Sequence, residues 1–343
     1  MDQGLPDTYT VKAAIALAAR APSVHNSQPW VWHFSGRTVE LRADRRRRLR
    51  HADTQGQDLL VSCGCVLHHF GVAAAALGWG TQIQRLPDAD DPGLLARIVL
   101  VPHETSDADI ALSAAIPRRR SDRRRFTDRP ISGRDQVFLA KSASDHGGTL
   151  RAVTDDAHRS ALVAASAEAR GLHRADPDYG IELAAWSGRR YAPDGVPAQN
   201  AIAMTTTARE LSVREFAEPT LTHASGADVD GAMLTVLATE GDDQFDRLCA
   251  GEAASAVLLA ATQLGLATCV ITEPLELAST RGLVRDCVLD GVEEPQLVLR
   301  IGYLPDGAAP LPATPRRPLG DILRPVDHPC GVGLQIPTQL RPR

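Results

Sequence analysis

The chain alternates between apolar helical stretches and short β-branched runs from end to end. An apolar segment predicts a helix over residues 11–20, and a polar loop then leads into strand-like runs at 30–34 and 39–42. A helix rich in small residues follows at 64–77, with a glycine turn into a strand through Ile83 and a β-branched run at 96–101. The same order returns further on: a helix at 133–144, a strand at 149–154, a strand at 233–239, an alanine-rich helix at 251–264, and strands at 269–271 and 296–301. Interleaved helices and strands predict an α/β or α+β chain with a central sheet in each half.

Sliding the sequence along itself by 187 residues aligns Gly64 with Gly251, Ala73 with Ala260, Ala74 with Ala261, Leu77 with Leu264, Gly78 with Gly265 and Thr81 with Thr268. One constant offset over these positions points to an internal duplication; two unrelated alanine-rich helices are the rival reading. Small residues in both helices suit backbones that approach closely in a core. The expected organisation is a first domain over 1–112, a second over 113–330 and a tail over 331–343. The second contains a longer, more polar stretch at 173–230, either a segment lying over a functional site or a solvent-facing appendage.

Composition narrows the function classes. With 343 residues and 43% apolar content the chain can bury a core, and 37 Lys+Arg against 42 Asp+Glu give a net charge of −5. That balance offers no general attraction to nucleic acid or acidic membranes, so basic chemistry must be local, in the runs Arg45 to Arg48 and Arg118 to Arg125. The six cysteines form no disulfide-framework spacing and no C-x-x-C pair, which fits reduced thiols in a cytosol. No signal-peptide pattern opens the sequence and apolar stretches fall short of a membrane span, so a cytoplasmic protein is expected.

Two segments carry candidate chemistry. Arg118 to Arg125 with Ser121 offers guanidinium forks and a hydroxyl suited to a phosphate, though a nucleic-acid patch and a solvated linker remain alternatives. Pro22-Ser23-Val24-His25-Asn26-Ser27-Gln28-Pro29-Trp30 sets polar groups between two prolines, an arrangement that suits the edge of a planar heterocycle or a plain helix-ending loop. His68-His69 has no partner motif for a metal, and no metal is expected. Cys63-Gly64-Cys65 is either redox active or, more commonly for such a spacing, a pair of buried thiols. No G-x-S-x-G elbow and no G-x-G-x-x-G fingerprint occurs.

Pro22-Ser23-x-x-Asn26-x-Gln28-Pro29-Trp30, Arg119-Arg120-Ser121-x-Arg123 with Phe126 and Pro130, and the turn Gly265-Leu266-Ala267-Thr268 together resemble the FMN-dependent nitroreductase superfamily, in its Acg branch of two fused domains. The resemblance covers nearly the whole chain. It implies an α+β (α/β sandwich) nitroreductase-like fold duplicated in one chain, with a central mixed sheet flanked by helices in each half. Ordinary members are homodimers whose two flavins lie at the interface, so the fusion would mimic the dimer.

The resemblance also assigns roles. Arg119, Arg120 and Ser121 match residues holding the FMN phosphate and ribityl chain, and Arg123 the cation near N1 and O2 of the ring. Pro22, Ser23, Val24 and Asn26 match the loop from the partner domain, Thr272 and Glu273 the segment near N5, and Arg316 or Arg317 the closing basic residue on the phosphate. Neither half holds both motifs, which implies one FMN per chain and a degenerate second pocket. The implied activity passes two electrons from transiently bound NAD(P)H to a small nitro or quinone-like acceptor, with no catalytic side-chain acid. A non-catalytic FMN store, with 173–230 as a lid, is the alternative the branch implies. No nucleic-acid or membrane partner is expected, and the chain is either a monomer or a homodimer of fused chains.

Overall fold

A computed structural model describes residues 4–189, 192–203, 210–211, 213–224 and 226–324. The expected tail at 331–343 lies outside them. In chain order the elements are α1 (Thr8–Ala18), β1 (Trp30–Ser35), β2 (Thr38–Ala43), α2 (Gln57–Ala76), β3 (Trp79–Arg85), β4 (Leu94–Pro102), α3 (Asp107–Ala115), α4 (Gly133–Ser144), β5 (Thr149–Ala152), α5 (Asp156–Arg174), α6 (Pro177–Ala185), β6 (Met233–Thr239), α7 (Gln244–Gln263), β7 (Ala267–Ile271), α8 (Ala278–Val288), β8 (Glu294–Gly302), α9 (Leu319–Ile322) and β9 (Leu323–Arg324). The fold is α+β.

The strands form two sheets with one plan. The first runs β3-β4-β2-β1-β9 and the second β5-β6-β8-β7. Read from the other edge, the second becomes β7-β8-β6-β5, matching β3-β4-β2-β1 strand for strand, with every one of these pairs antiparallel. The first sheet is mixed, through β9, which lies parallel to β1 with Trp32 opposite Leu323; the second, expected to be mixed as well, has only antiparallel strand pairs among the described residues. The C-terminal end of the described chain thereby returns to the first half. A tight hairpin at Gly36, φ +59°, joins β1 to β2, whereas residues 153–232 separate β5 from β6 and carry α5 and α6.

Helices α2 and α7 cross between the two sheets. Seventeen of the 20 residues of α2 are buried and 14 of the 20 of α7, so both are buried all round rather than on one stripe. By length and composition α2 could cross a membrane, contrary to the expectation that no apolar stretch is long enough; here it is the core helix of the molecule. Both helices begin seven residues before the predicted starts at Gly64 and Gly251. The glycines mark the crossing point instead: a Cβ on Gly64 would stand 2.8 Å from the Gly251 Cα. The true starts are set by Asp243, in a capping box with Asp246, and by Asp53, which accepts from the backbone N–H of Asp58 and Leu59.

One core cluster runs through both halves, from Trp30, Trp32 and Phe70 to Leu237, Leu299 and Ile301. A second lies on the far face of the second sheet, where Val236, Ala238 and Val298 meet Leu162 and Val284 of α5 and α8. The period of two in Leu297, Val298 and Leu299 divides β8 between these cores. The corresponding outer face of the first sheet instead carries Glu40 with Arg42 and Arg97. Helix α5, not among the predicted elements, begins at the Asp155 cap.

Candidate functional site

Two adjoining hollows open between the halves, with about 790 Å³ and about 600 Å³ of space, and share Pro22, Ser23, His25, Ser121 and Arg123 on their walls. The larger is closed by α2 and α7, by Ile271 to Glu273 after β7, and by Val213, Arg214 and Phe216. The smaller is lined by Arg20, Arg119, Arg120 and Arg316 together with Asn26 and Asn200.

The loop after α1 is held in an unusual backbone course. His25, Asn26 and Gln28 have φ of 46°, 54° and 50°, in the left-handed region that costs a side chain free energy. Hydrogen bonds over-determine it: Ser23 Oγ accepts from Gln28 N at 2.9 Å, and Ser62 Oγ of α2 from Val24 N at 3.1 Å. The Asn26 amide donates to the carbonyls of Gly195 and Pro315, and that of Gln28 to Pro193 at 2.8 Å. Gln28 therefore does not present its amide to a ligand. Asn26 Oδ1 remains buried and unpartnered on the wall of the smaller hollow.

The arginine segment is turned inward, so the readings of 119–125 as a solvated linker or an exposed basic patch do not hold. Arg124 pairs with Asp122 and Arg125 with Glu210, while Asp122 N donates to Thr268 O and pins the segment along β7. Arg119 is 6% exposed, and its Nε and Nη1 have no partner. Arg20 Nε is likewise buried and unpartnered. Arg316 donates to the carbonyls of Ala19, Arg20 and Ala21 at the end of α1. Burial pushes Arg119 down to about 10, with Arg120 and Arg20 adding repulsion; burial and the same neighbours, Arg119 included, lower Arg316 further. A guanidinium does not surrender its proton in a protein, so the cost persists as repulsion that an anion would relieve. Of the two C-terminal candidates Arg316 lines the hollow. Arg317 does not: it points away, onto the carbonyls of Gln28, Trp30 and Asp321.

Arg123 lies between the two hollows. Its Nη1 donates to Asn200 O at 2.9 Å and its guanidinium stacks on Phe216 at 4.8 Å from the ring centre. Thr272 and Glu273 both reach the larger hollow, but the Glu273 carboxylate faces Arg170 and His173. Burial raises its pKa, and the contacts with His173, Arg214 and Arg170 outweigh that and lower it. Thus Pro22, Ser23, Val24, Asn26, Arg119, Arg120, Ser121, Arg123, Thr272, Glu273 and Arg316 gather around one site, and Arg317 stands outside it.

Several wall residues were not anticipated. His25 sits inside the recognised loop, buried, with both ring nitrogens unpartnered and its edge towards Phe216 at 5.4 Å. Asp58 lies on α2, Arg20 at the end of α1, and Asn200, Arg214 and Phe216 in the long insertion. Lone residues carry no spacing signal; only the double-arginine and proline-flanked motifs did. Cys65 also reaches the wall, but burial pushes its thiol up to about 12, and Cys63 higher still, which removes the redox reading of that pair.

Glu182 and Asp194, both in the long insertion, tie it to the first half. The Glu182 carboxylate accepts from the backbone N–H of His51 at 2.9 Å and Ala52 at 3.0 Å, and Asp194 pairs with Arg47 and Arg189.

No family model matches the chain. A Mycobacterium tuberculosis (strain H37Rv) protein named "Putative NAD(P)H nitroreductase Rv3131" is 45% identical over 326 residues, 94% of this chain and 93% of that protein. "Putative NAD(P)H nitroreductase acg" of the same organism is 35% identical over 334 residues, 94% of this chain and all of that protein. Among solved structures, the FMN-dependent nitroreductase NfnB of Mycobacterium smegmatis in complex with NADPH aligns at TM-score 0.41 and 20% identity, over 64% of this chain and 99% of that one.

Proposed function

The chain belongs to the NAD(P)H nitroreductase family, in the branch that includes Acg, and we propose that it binds one FMN between two duplicated halves and carries two electrons from NAD(P)H to a small nitro or quinone-like acceptor. The observation that supports this best is the cluster of Arg20, Arg119, Arg120 and Arg316 beside a hollow of ring size. The unpartnered Nε of Arg20 and Nε and Nη1 of Arg119, on a wall without a carboxylate, fit a phosphate through charge-assisted bonds. The unpartnered Asn26 Oδ1 and the Ser23 and Ser121 positions suit the hydroxyls of a sugar-like chain between phosphate and ring.

Bound FMN would supply the two-electron chemistry. The protein's share is binding and electrostatics. Arg123, with water excluded around it, would hold the ring edge that gains negative charge on reduction. The walls of α2 and α7, with Ala254 and Leu258, would keep one face of the ring dry. The matching strand orders and the offset of 187 support reading the halves as copies, each lending the site what the other lacks.

Phe216 and Arg214, together with the ties of Glu182, Pro193, Asp194 and Gly195 to the first half, favour a second reading in which the site stores FMN beneath a lid. Anaerobic mixing of the FMN-loaded protein with NADH and NADPH separates the two. Bleaching of the yellow band within seconds supports the oxidoreductase, and a band stable to both nucleotides over an hour supports storage.

A further inference from the structure

Asp58 connects the site to a second hollow that the proposed function leaves unused. It lies in the first turn of α2, is 6% exposed, and is on the wall of both the larger site hollow and a solvent-open polar hollow of about 910 Å³. Asp53, Gln57, Asp242, Glu276 and Arg281 line that outer hollow. The backbone of Asp58 is engaged, its N–H with Asp53 and its carbonyl with Ser62, but carboxyl Oδ2 is buried with no partner. A carboxyl so placed normally has a donor.

Every charge facing it is accounted for. Arg281 is held bidentately by Asp242 at 2.6 and 2.7 Å, and Arg214 by Glu276, so neither guanidinium is free to pair with Asp58. Asp53 and Glu276 add like charge; burial and these carboxylates hold Asp58 well above the ordinary carboxylate range. Asp53, which lines the same outer hollow, is itself raised to about 6 by burial, against the lowering by its hydrogen bonds from the Leu59 and Asp58 N–H. The outer hollow thus presents one acid that titrates near neutrality beside a second, unpartnered one whose burial favours the protonated form.

We propose that Asp58 is the proton donor to the acceptor, refilled from water in the outer hollow through Asp53. This rests on the oxidoreductase reading. Reduction of a quinone consumes NAD(P)H and one solvent proton to give the hydroquinone and NAD(P)⁺; reduction of a nitro group to nitroso consumes the same and releases water. The hydride brings two electrons and one proton. The remaining proton leaves the Asp58 O–H as the new O–H bond forms on the acceptor, and the carboxylate then takes a proton from the outer hollow. The site hollow holds no other carboxyl in this state, since Glu273 is ionised and paired.

The test compares wild type with Asp58→Asn, both loaded with FMN. After anaerobic reduction by NADPH, reoxidation by p-benzoquinone slows about a hundredfold in the variant, far more than bleaching by NADPH does. Infrared spectra of the resting protein at pH 7 show a protonated-carboxyl band that shifts in D2O and is missing from Asp58→Asn. Gly282→Leu gives an independent arm that leaves the carboxyl in place. Gly282 lines the outer hollow and its Cβ position meets only open space, so the leucine blocks the water path and also slows reoxidation. Equal reoxidation rates in wild type and Asp58→Asn, or an infrared band that survives the substitution, overturn the proposal. Wild type that NADPH fails to bleach would instead refute the oxidoreductase reading. Reduction by dithionite then still allows the reoxidation comparison.

Discussion

Gly64 and Gly251 meet backbone to backbone where the two central helices cross: a Cβ on Gly64 would stand 2.0 Å from the Leu248 carbonyl oxygen, and one on Gly251 2.1 Å from the Val61 carbonyl oxygen. The contacts are reciprocal under the same 187-residue offset that relates the two halves in sequence. A two-fold relation between the halves therefore passes through this crossing. The site lies to one side of it, with walls supplied by both helices.

Gly64→Ala and Gly251→Ala should each force the helices apart, because the obstructing atoms are backbone and cannot rotate away. We expect each to lose about 3 kcal/mol or more, at the upper end of overpacking costs, and to lose it alike. Denaturant unfolding checks this against Gly171→Ala, whose Cβ position meets nothing in α5 and which should gain about 0.5–1 kcal/mol. A well-tolerated alanine at Gly64 would contradict the close crossing.

Arg119→Met should separate cofactor binding from folding. The guanidinium is buried with two unpartnered nitrogens among like charges, so its removal leaves the FMN-free protein as stable as wild type or more so. FMN affinity should fall by about 1.5–3 kcal/mol, ten- to a hundredfold. Thermal unfolding with and without FMN measures both. A variant that unfolds more easily but binds FMN normally would assign Arg119 a structural role.

His68→Asn should flatten the pH dependence of stability. Burial, with His146 nearby, holds the His68 pKa down to about 3 from its ordinary 6.5, and its Nδ1 lies 2.7 Å from Ser255 Oγ. The folded protein refuses a proton that the unfolded chain accepts. Its contribution is complete above pH 6.5 and is lost as pH falls towards 3, at about 1.4 kcal/mol per unit at most. The variant should lack that share of the slope, read from denaturant midpoints between pH 7 and 4. Identical slopes would mean that His68 titrates normally in the fold.

Asp194→Ala should loosen the cover. Asp194 ties the long insertion to Arg47 of the first half and also pairs with Arg189. Loss of about 1 kcal/mol there should speed FMN release about fivefold, measured by mixing with excess apoflavodoxin as an FMN trap. An unchanged release rate would show that this segment does not gate the site.

Small residues and Leu-Gly turns recurring at one offset are what pointed to a repeat, and the two sheets share one strand order, which supports that reading. Arg119, Arg120, Ser121 and the Pro22 to Asn26 loop were legible because dense charge and paired prolines leave a linear trace. Arg317 misled because adjacent arginines are indistinguishable in sequence; only the fold shows that one caps α1 while the other braces Gln28. Helix α5 was legible but missed: Leu162, Ala165, Ala169 and His173 recur at helical spacing on one buried face, within a stretch whose polar residues face solvent. Asp58 was hidden: its environment comes from Glu276, Arg214 and Arg281, more than 150 positions away in sequence.

The central claim, one cofactor cradle assembled from both halves, is tested most directly by titrating the cofactor-free protein with FMN and recording the flavin spectrum to saturation. The account predicts a single equivalent per chain, with a perturbed visible band, and no saturable binding by an Arg119→Met and Arg120→Met double variant at the same concentration. Two equivalents per chain, or none, would contradict it.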